Sequence, residues 1–395
     1  MASQQHSSPD LVSSPFQLPK VLLLSFSHFI HDVYSSFLAP LLPLLIEKLS
    51  LNLTQAGFLT TIIQIPALAN PYLGSLADKL NVRYFIIIAP GLTALSMSLI
   101  GMASSYASLL LLLFVSGCST AIFHVPAPVL IYRFAGSRKG LGMSFYMTGG
   151  ELARAVGPLI AVAAVSLVGL ENMYPVMVIG LLTSFILYYQ FKNIPVHTVS
   201  KEPPSLRKAW ASASHVLQPI TGILVFRGFM HASIGTFLPT FINQNTANLW
   251  LAGISLAIYE TSGVVGALTC GHLSDKIGRR TTLLLSLLLA PPFLFLFLWM
   301  KSIWLQALCL IGLGFTVLST TPVMLALVQE NAGDNPATVN GFFMMISFLA
   351  RSAVVVLVGA IADFIGLGNT YYLSAGLGLL ALPFIFSLPK EQTQK

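Results

Sequence analysis

Charge is what this sequence most lacks. Asp, Glu, Lys and Arg make up 8% of its 395 residues, where a soluble domain carries about 25%. So few charges cannot cover the surface of a water-soluble protein of this length, which excludes a soluble enzyme or binding module. Cysteine is scarce too. Cys118, Cys270 and Cys309 are the three present, and an odd number in separate apolar stretches excludes a disulfide framework. Also missing are a zinc-spaced His pair, a Gly-x-Ser-x-Gly elbow and a phosphate-binding Gly loop. No enzyme activity, resident metal or cofactor is therefore expected. His28 and Asp32 are one helical turn apart and could share a metal, but no further ligand is evident beside them in the chain.

What the chain has instead is apolar sequence: 55% hydrophobic residues, in runs long enough to cross a bilayer as helix. The runs predict twelve spans at 20–46, 53–76, 84–104, 107–132, 139–168, 173–191, 216–242, 249–273, 281–299, 303–328, 337–364 and 370–388. Prolines inside them are compatible with membrane helices, where neighbours satisfy the freed backbone groups. The net charge of +7 is a topology signal. Fifteen Lys and Arg fall on the side of the N-terminus, Lys48 and Lys301 fall on the other, and Arg154, Arg227 and Arg351 lie within spans. This positive-inside bias puts both termini in the cytoplasm and excludes a nucleic-acid footprint. The first apolar run is too long for a cleaved signal and is expected to remain as the first helix.

An internal repeat organises the spans. Gly74-Ser-Leu-Ala-Asp78-Lys79-Leu-Asn81-Val-Arg83 follows the second, and Gly271-His-Leu-Ser-Asp275-Lys276-Ile-Gly278-Arg279-Arg280 follows the eighth. Asp78 and Asp275 are 197 residues apart, and the same offset carries Leu152-Ala153-Arg154 onto Leu349-Ala350-Arg351. Two parallel six-helix halves follow. The expected organisation is a tail (1–19), a first bundle (20–191), a cytoplasmic linker (192–215), a second bundle (216–388) and a tail (389–395).

The repeated loop resembles the Gly-x-x-x-Asp-Arg/Lys-x-Gly-Arg/Lys-Arg/Lys motif of the major facilitator superfamily. The resemblance implies an all-α membrane fold of about twelve helices in two pseudo-symmetric bundles. It also implies a cytoplasmic gate formed by Gly74, Asp78, Arg83, Gly271, Asp275 and Arg279. Gly74 and Gly271 would allow close helix approach. Asp78 and Asp275 would sit near a helix N-terminus, where a carboxylate is favoured.

Ionisable groups inside a membrane cost roughly 2.5–3.5 kcal/mol on insertion scales, so each needs a partner, water or a function. Three carboxylates, Asp32, Glu151 and Glu260, balance Arg154, Arg227 and Arg351 at comparable depth. They are expected either as buried ion pairs, with Glu151 and Arg154 pairing at i and i+3, or around a water-filled cavity. Ser25, His28, Asp32 and Ser35 fall on one face of the first helix. A polar face is costly against lipid, so it should face the cavity. Asp32 is the first candidate for proton coupling, with Glu151 and Glu260 beside it; burial raises a carboxyl pKa and a nearby Arg lowers it. His28, His31, His124, Tyr146, Arg154, Arg227, His231, Tyr259 and Arg351 are the candidates for the cavity wall.

Ser27-His28 with Asp32, Leu41-Leu42-Pro43-Leu44-Leu45, Phe123-His124, Gly149-Gly150 with Gly157-Pro158, and Gly341-Phe342-Phe343 before Gly359-Ala360-Ile361-Ala362-Asp363 resemble the fosmidomycin-resistance branch of bacterial drug exporters. That resemblance implies proton-driven export of a small drug-like molecule from the bacterial inner membrane, with Asp32 and His124 as site residues. Two departures bear on the substrate. The branch has Phe-His-Pro-Glu where this chain reads Phe123-His124-Val125-Pro126, and Glu151 and Arg154 replace small or neutral residues. Paired Arg154 and Arg351 suit an anion. The expected partners are a small-molecule substrate, protons and the bilayer, with the chain a monomer. An uptake symporter for an organic anion uses the same charges in reverse. A membrane enzyme and a non-transporting receptor are the more remote alternatives.

Overall fold

The computed structural model describes residues 15–70, 83–136, 138–194, 206–332 and 336–389, and every regular element among them is helical. In chain order the helices are α1 (Leu18–Ser35), α2 (Leu38–Leu49), α3 (Leu53–Gln64), α4 (Arg83–Ser98), α5 (Tyr106–His124), α6 (Ala127–Ala135), α7 (Lys139–Val168) and α8 (Met177–Phe191). Then come α9 (Leu206–Thr246), α10 (Leu249–Ile277), α11 (Arg279–Trp299), α12 (Ile303–Glu330), α13 (Pro336–Ile365), α14 (Leu367–Leu379) and α15 (Leu382–Phe386). They make eleven segments long and apolar enough to span a membrane, beside the shorter apolar stretch Leu53–Ala69 at the place of the second expected span.

The first span is two helices. Pro40 lacks an N–H and its ring crowds the Ser36 carbonyl, so the chain breaks at Ser36–Phe37 and resumes as α2. The fourth span breaks likewise at Val125–Pro126, which leaves His124 as the last residue of α5. The expected linker 192–215 ends earlier than the charge pattern suggested. Residues 206–215 are helical and continue into the seventh span, because Leu206-Arg207-Lys208-Ala209-Trp210-Ala211 contains no helix breaker.

Packing divides the molecule into two ends. Near the start of α1 and the end of α15, called here the terminal face, the halves have separate cores. Val21, Leu24, Ile87, Phe134 and Phe191 cluster in one; Val216, Leu224, Leu287, Val328 and Phe343 cluster in the other. On the far face a single core runs through both halves, from Tyr34, Leu41 and Leu42 to Phe237, Leu238 and Val355. Among the described residues the halves are thus joined across the far side and have separate cores on the terminal side.

Three helix pairs make most of the junction: α7 with α10, α3 with α13, and α2 with α9. Glycines set the α3–α13 distance. A Cβ on Gly57 would lie 2.7 Å from the Val355 carbonyl oxygen, and one on Gly359 would lie 2.2 Å from that of Leu53. Above them Asp363 caps the opposite half. Its Oδ1 accepts from the Leu53 N–H (2.7 Å), and its Oδ2 from the Thr54 N–H (2.9 Å) and Oγ1 (2.5 Å). Asn52 accepts from the Gln55 N–H at 2.8 Å, so the orphan amide groups at the start of α3 are met from both halves.

Candidate functional site

The site begins on α1, where Asp32 points away from lipid into a group of histidines. Its Oδ1 lies 2.9 Å from His31 Nδ1 and 3.2 Å from His124 Nε2, and its Oδ2 lies 3.2 Å from His28 Nε2. Aromatic stacking fixes two of these rings. His28 lies flat on Tyr146 with centroids 4.0 Å apart, and His31 on Phe123 at 4.6 Å. His28 Nδ1 donates to the Tyr146 carbonyl at 2.8 Å. His31 Nε2 meets Thr93 Oγ1 at 3.0 Å, and Thr93 donates in turn to Ser119 at 2.7 Å.

Glycine on α7 makes this cluster possible. A Cβ on Gly150 would fall 2.6 Å from His28 Cε1 and 3.1 Å from Asp32 Oδ2, and one on Gly149 would fall 2.5 Å from the Ser25 carbonyl oxygen. The α1–α7 seam is therefore closed by absent side chains, as small residues allow in membrane packing.

The candidate residues occupy different depths of the wall. Asp32 is 16% exposed and His124 35%, so both reach the cleft; His31, at 0%, lies behind them. Tyr146 and Tyr259 are also buried and back the wall. Of the polar face expected on α1, His28 and Asp32 take part in the cluster. Ser25 and Ser35 return their hydroxyls to the backbone carbonyls of Val21 and His31. Thr93 and Ser119 were not singled out from sequence, since isolated hydroxyls in apolar spans usually bond their own helix; their signal is tertiary.

A second group lies between the halves. Arg154, 49% exposed, hydrogen-bonds Glu151 on its own helix, and its Nε lies 3.9 Å from Glu260 Oε2 on α10. Arg154 also lies within electrostatic range of Asp32, which ties this group to the histidines. Arg351 is exposed and has Arg154, Glu260 and Tyr259 as its charged and polar neighbours. Among the described residues it makes no ion pair. Arg227 is 4% exposed. Its Nη1 donates to the Val317 carbonyl at 3.1 Å and to Thr321 Oγ1 at 3.3 Å, and it bonds Thr320 Oγ1 as well. His231, one turn on, reaches the Tyr259 hydroxyl at 3.4 Å.

The gate residues are only partly visible. Gly74 and Asp78 lie outside the described residues. Arg83 donates to the Ile194 carbonyl at 2.8 Å. In the second copy Arg279 joins Asp275 at 2.5 Å and Glu330, at the end of α12, at 2.8 Å. Gly278 sits at φ +96°, a conformation that L side chains rarely adopt, and turns the chain between α10 and α11. Gly271 departs from expectation: nothing lies within 4 Å of a Cβ built there, so it mediates no close helix approach in this conformation.

The ligating atoms of His28, Asp32 and His124 fall within 4.8 Å of one another, near enough to share a small cation. Sequence spacing offered two of the three; the break after α5 delivers His124. A cavity of about 350 Å³ between α10, α11 and α12 is lined by Cys270, Leu285, Phe293 and Phe315 among others, and is apolar. It contains none of the candidate residues.

Comparison with known proteins agrees with this architecture. A family model described as Major Facilitator Superfamily matches residues 24–355 and 253–395. The chain is 26% identical over 376 residues to the fosmidomycin resistance protein of Escherichia coli (strain K12), covering 92% of this chain and 91% of that one. It is 25% identical over 388 residues to the MFS-type transporter YfnC of Bacillus subtilis (strain 168), covering 95% and 93%. Among solved structures, a bacterial homologue of the human lysosomal transporter Spinster, inward-facing and occupied, superposes with a TM-score of 0.78 at 15% identity, covering 95% of this chain and 97% of that one. Helices joined at one end and parted at the other, polar groups converging between two halves, and a family match over nearly the whole chain lead to one assignment: this is a multi-pass membrane transporter, not an enzyme, and it belongs to the Major Facilitator Superfamily.

Proposed function

We propose that the protein is a proton-driven antiporter of the bacterial inner membrane that exports a small amphiphilic or anionic compound. The observation that carries this reading is the Asp32 carboxylate, shared by three imidazoles and open to the cleft. A carboxylate so placed changes charge when it gains or loses a proton, and does so beside the Arg154 bridge between the halves. Protonation from outside weakens the pull of Asp32 on Arg154 and loosens the hold on substrate. Deprotonation toward the cytoplasm restores both. The rest of the cavity suits an anion: Arg351 offers an exposed guanidinium and Arg227 a second one held by neutral oxygens.

Both termini lie in the cytoplasm in this scheme, following the positive-inside bias of the loops. The terminal face is then cytoplasmic and the conformation inward-open. The units 20–191 and 216–388 rock against each other as a monomer, with Asp275 and Arg279 helping to latch the cytoplasmic side in the opposite state. The drug-resistance name of one relative supports the export direction.

Proteoliposomes with an imposed pH gradient test the reading, with fosmidomycin and a cationic dye as probes. Wild-type protein moves one of them against its gradient, and Asp32→Asn loses at least 10-fold of that flux. Unchanged flux in Asp32→Asn removes Asp32 from the mechanism. The uptake reading for an organic anion is favoured by Arg351, which is exposed and makes no ion pair among the described residues. Right-side-out vesicles separate the two: accumulation driven by an inward proton gradient means symport, and extrusion means antiport.

A further inference from the structure

The hydrogen bonds behind Asp32 fix how many protons the site holds. His28 Nδ1 faces the Tyr146 carbonyl at 2.8 Å, and a carbonyl only accepts, so Nδ1 carries a hydrogen. A neutral imidazole has one N–H. His28 Nε2 would then present a lone pair to Asp32 Oδ2, 3.2 Å away, unless a proton occupies the gap.

The second gap follows from a longer chain. Ser119 donates its hydroxyl hydrogen to the Ala89 carbonyl at 2.8 Å. Its oxygen therefore receives the Thr93 hydroxyl hydrogen at 2.7 Å. Thr93 Oγ1, its own hydrogen spent, accepts from His31 Nε2 at 3.0 Å. His31 Nδ1 then also faces a carboxylate oxygen, Oδ1 at 2.9 Å, with a lone pair unless a proton lies between. Two lone-pair contacts this short on one carboxylate are repulsive.

We infer that His28, Asp32 and His31 together bind two exchangeable protons in this conformation, one between Asp32 Oδ2 and His28 Nε2 and one between Asp32 Oδ1 and His31 Nδ1. A carboxyl group carries one proton, so at least one of the two rings is an imidazolium. The three residues together carry +1 when loaded and −1 when both protons leave to water; no other bond forms or breaks. The remaining groups that face them are His124 on α5, Tyr146 on α7 and, electrostatically, Arg154 on α7. Thr93 and Ser119 are positioning residues that fix the His31 tautomer. With two protons per turnover the pH gradient alone supports a substrate gradient of about 100-fold per pH unit, where one proton supports about 10-fold. The use of the protons in transport rests on the Asp32 reading above; their number rests on the hydrogen bonds alone.

The count is measured without substrate, on the purified full-length protein in EDTA-containing buffer. Potentiometric titration from pH 10 to pH 7 compares wild type with Asp32→Asn and with His28→Asn. Each variant is first checked for a monodisperse, cooperatively melting species. Wild type takes up about two protons more than Asp32→Asn, and about one more than His28→Asn. Nitrogen-15 spectra of histidine-labelled protein then place hydrogens on His28 Nδ1 and His31 Nε2. A difference of one proton or none, a reversed tautomer at either ring, or a stoichiometric transition metal holding the cluster in EDTA-free samples overturns the inference. A two-proton difference alongside efflux that ignores Asp32→Asn keeps the site and removes its coupling role.

Discussion

The Arg227 guanidinium, buried in the second half, gives its Nη1 hydrogens to the Val317 carbonyl and the hydroxyls of Thr320 and Thr321. Its Nε meets no acceptor among the described residues. Neutral oxygens hold the group in place without cancelling its charge, so the positive field stays available to a ligand. Each hydrogen bond to a charged group contributes about 1.5–3 kcal/mol. Thr320→Val is therefore expected to lower stability by about that much, read as a lower Tm in detergent, with a larger loss for an anionic ligand than for a neutral one. The contrast at residue scale is Glu171. Lys48 beside it, 2.6 Å away, holds its carboxyl below the usual glutamate range. A depressed carboxyl pKa gives stability that is present above the unfolded value and lost as pH falls through the folded one. Glu171 is exposed, so solvent screens the pair, and Glu171→Gln leaves Tm unchanged at pH 7.

At the scale of helices, glycine decides which pairs approach. Gly150 on α7 stands against the ring of His28, whereas a Cβ on Gly376 of α14 would meet nothing within 4 Å. The same substitution then has opposite signs. Gly376→Ala adds helix propensity worth about 0.8–1 kcal/mol and raises Tm. Gly150→Ala displaces His28 from Asp32, lowers Tm and reduces proton-coupled flux. Equal behaviour of the two variants in a thermal melt would show that the seam tolerates a methyl group and that glycine there is incidental. The broken helices serve the same end: the kink at Ser36–Phe37 and the stop after His124 turn two spans beside the cluster.

At the scale of the molecule the far face is tied and the terminal face is parted. Asp363 ties it with hydrogen bonds onto the start of α3 across the halves. Asp363→Asn keeps one acceptor and turns an amide N–H toward the backbone donors. A loss of about 2–3 kcal/mol shifts the ratio of far-face-closed to far-face-open molecules by roughly 30–150-fold toward open. Spin labels at the far ends of α3 and α13 would register it as a lengthened distance; an unchanged distribution would mean that the shared apolar core alone keeps this face shut. Gly271 gives the converse case. Its surroundings are open here, so a Cβ costs this conformation nothing. If the motif glycine serves close approach when the terminal face shuts, Gly271→Leu penalises only that state and traps the present one.

Much of this was legible in the chain. Long apolar runs, scarce charge and the 197-residue repeat fix the order of the spans and the all-helical class, because a bilayer leaves the backbone few other ways to satisfy its hydrogen bonds. The same reasoning named Asp32, Glu151, Glu260 and the three arginines as groups needing either ion-pair partners or a common wet space. It did not find Thr93, Ser119 or the Asp363 cap, whose partners lie on helices 62, 30 and about 310 residues away in sequence. It also placed Ser25 and Ser35 with Asp32, because helical periodicity gives the face of a residue but not the acceptor its hydroxyl chooses. Sequence by itself determined what must be buried in the membrane and in what order. Only the tertiary structure decided which buried polar atoms meet, because those meetings depend on helix breaks, missing Cβ atoms and tautomers set by neighbours distant in the chain.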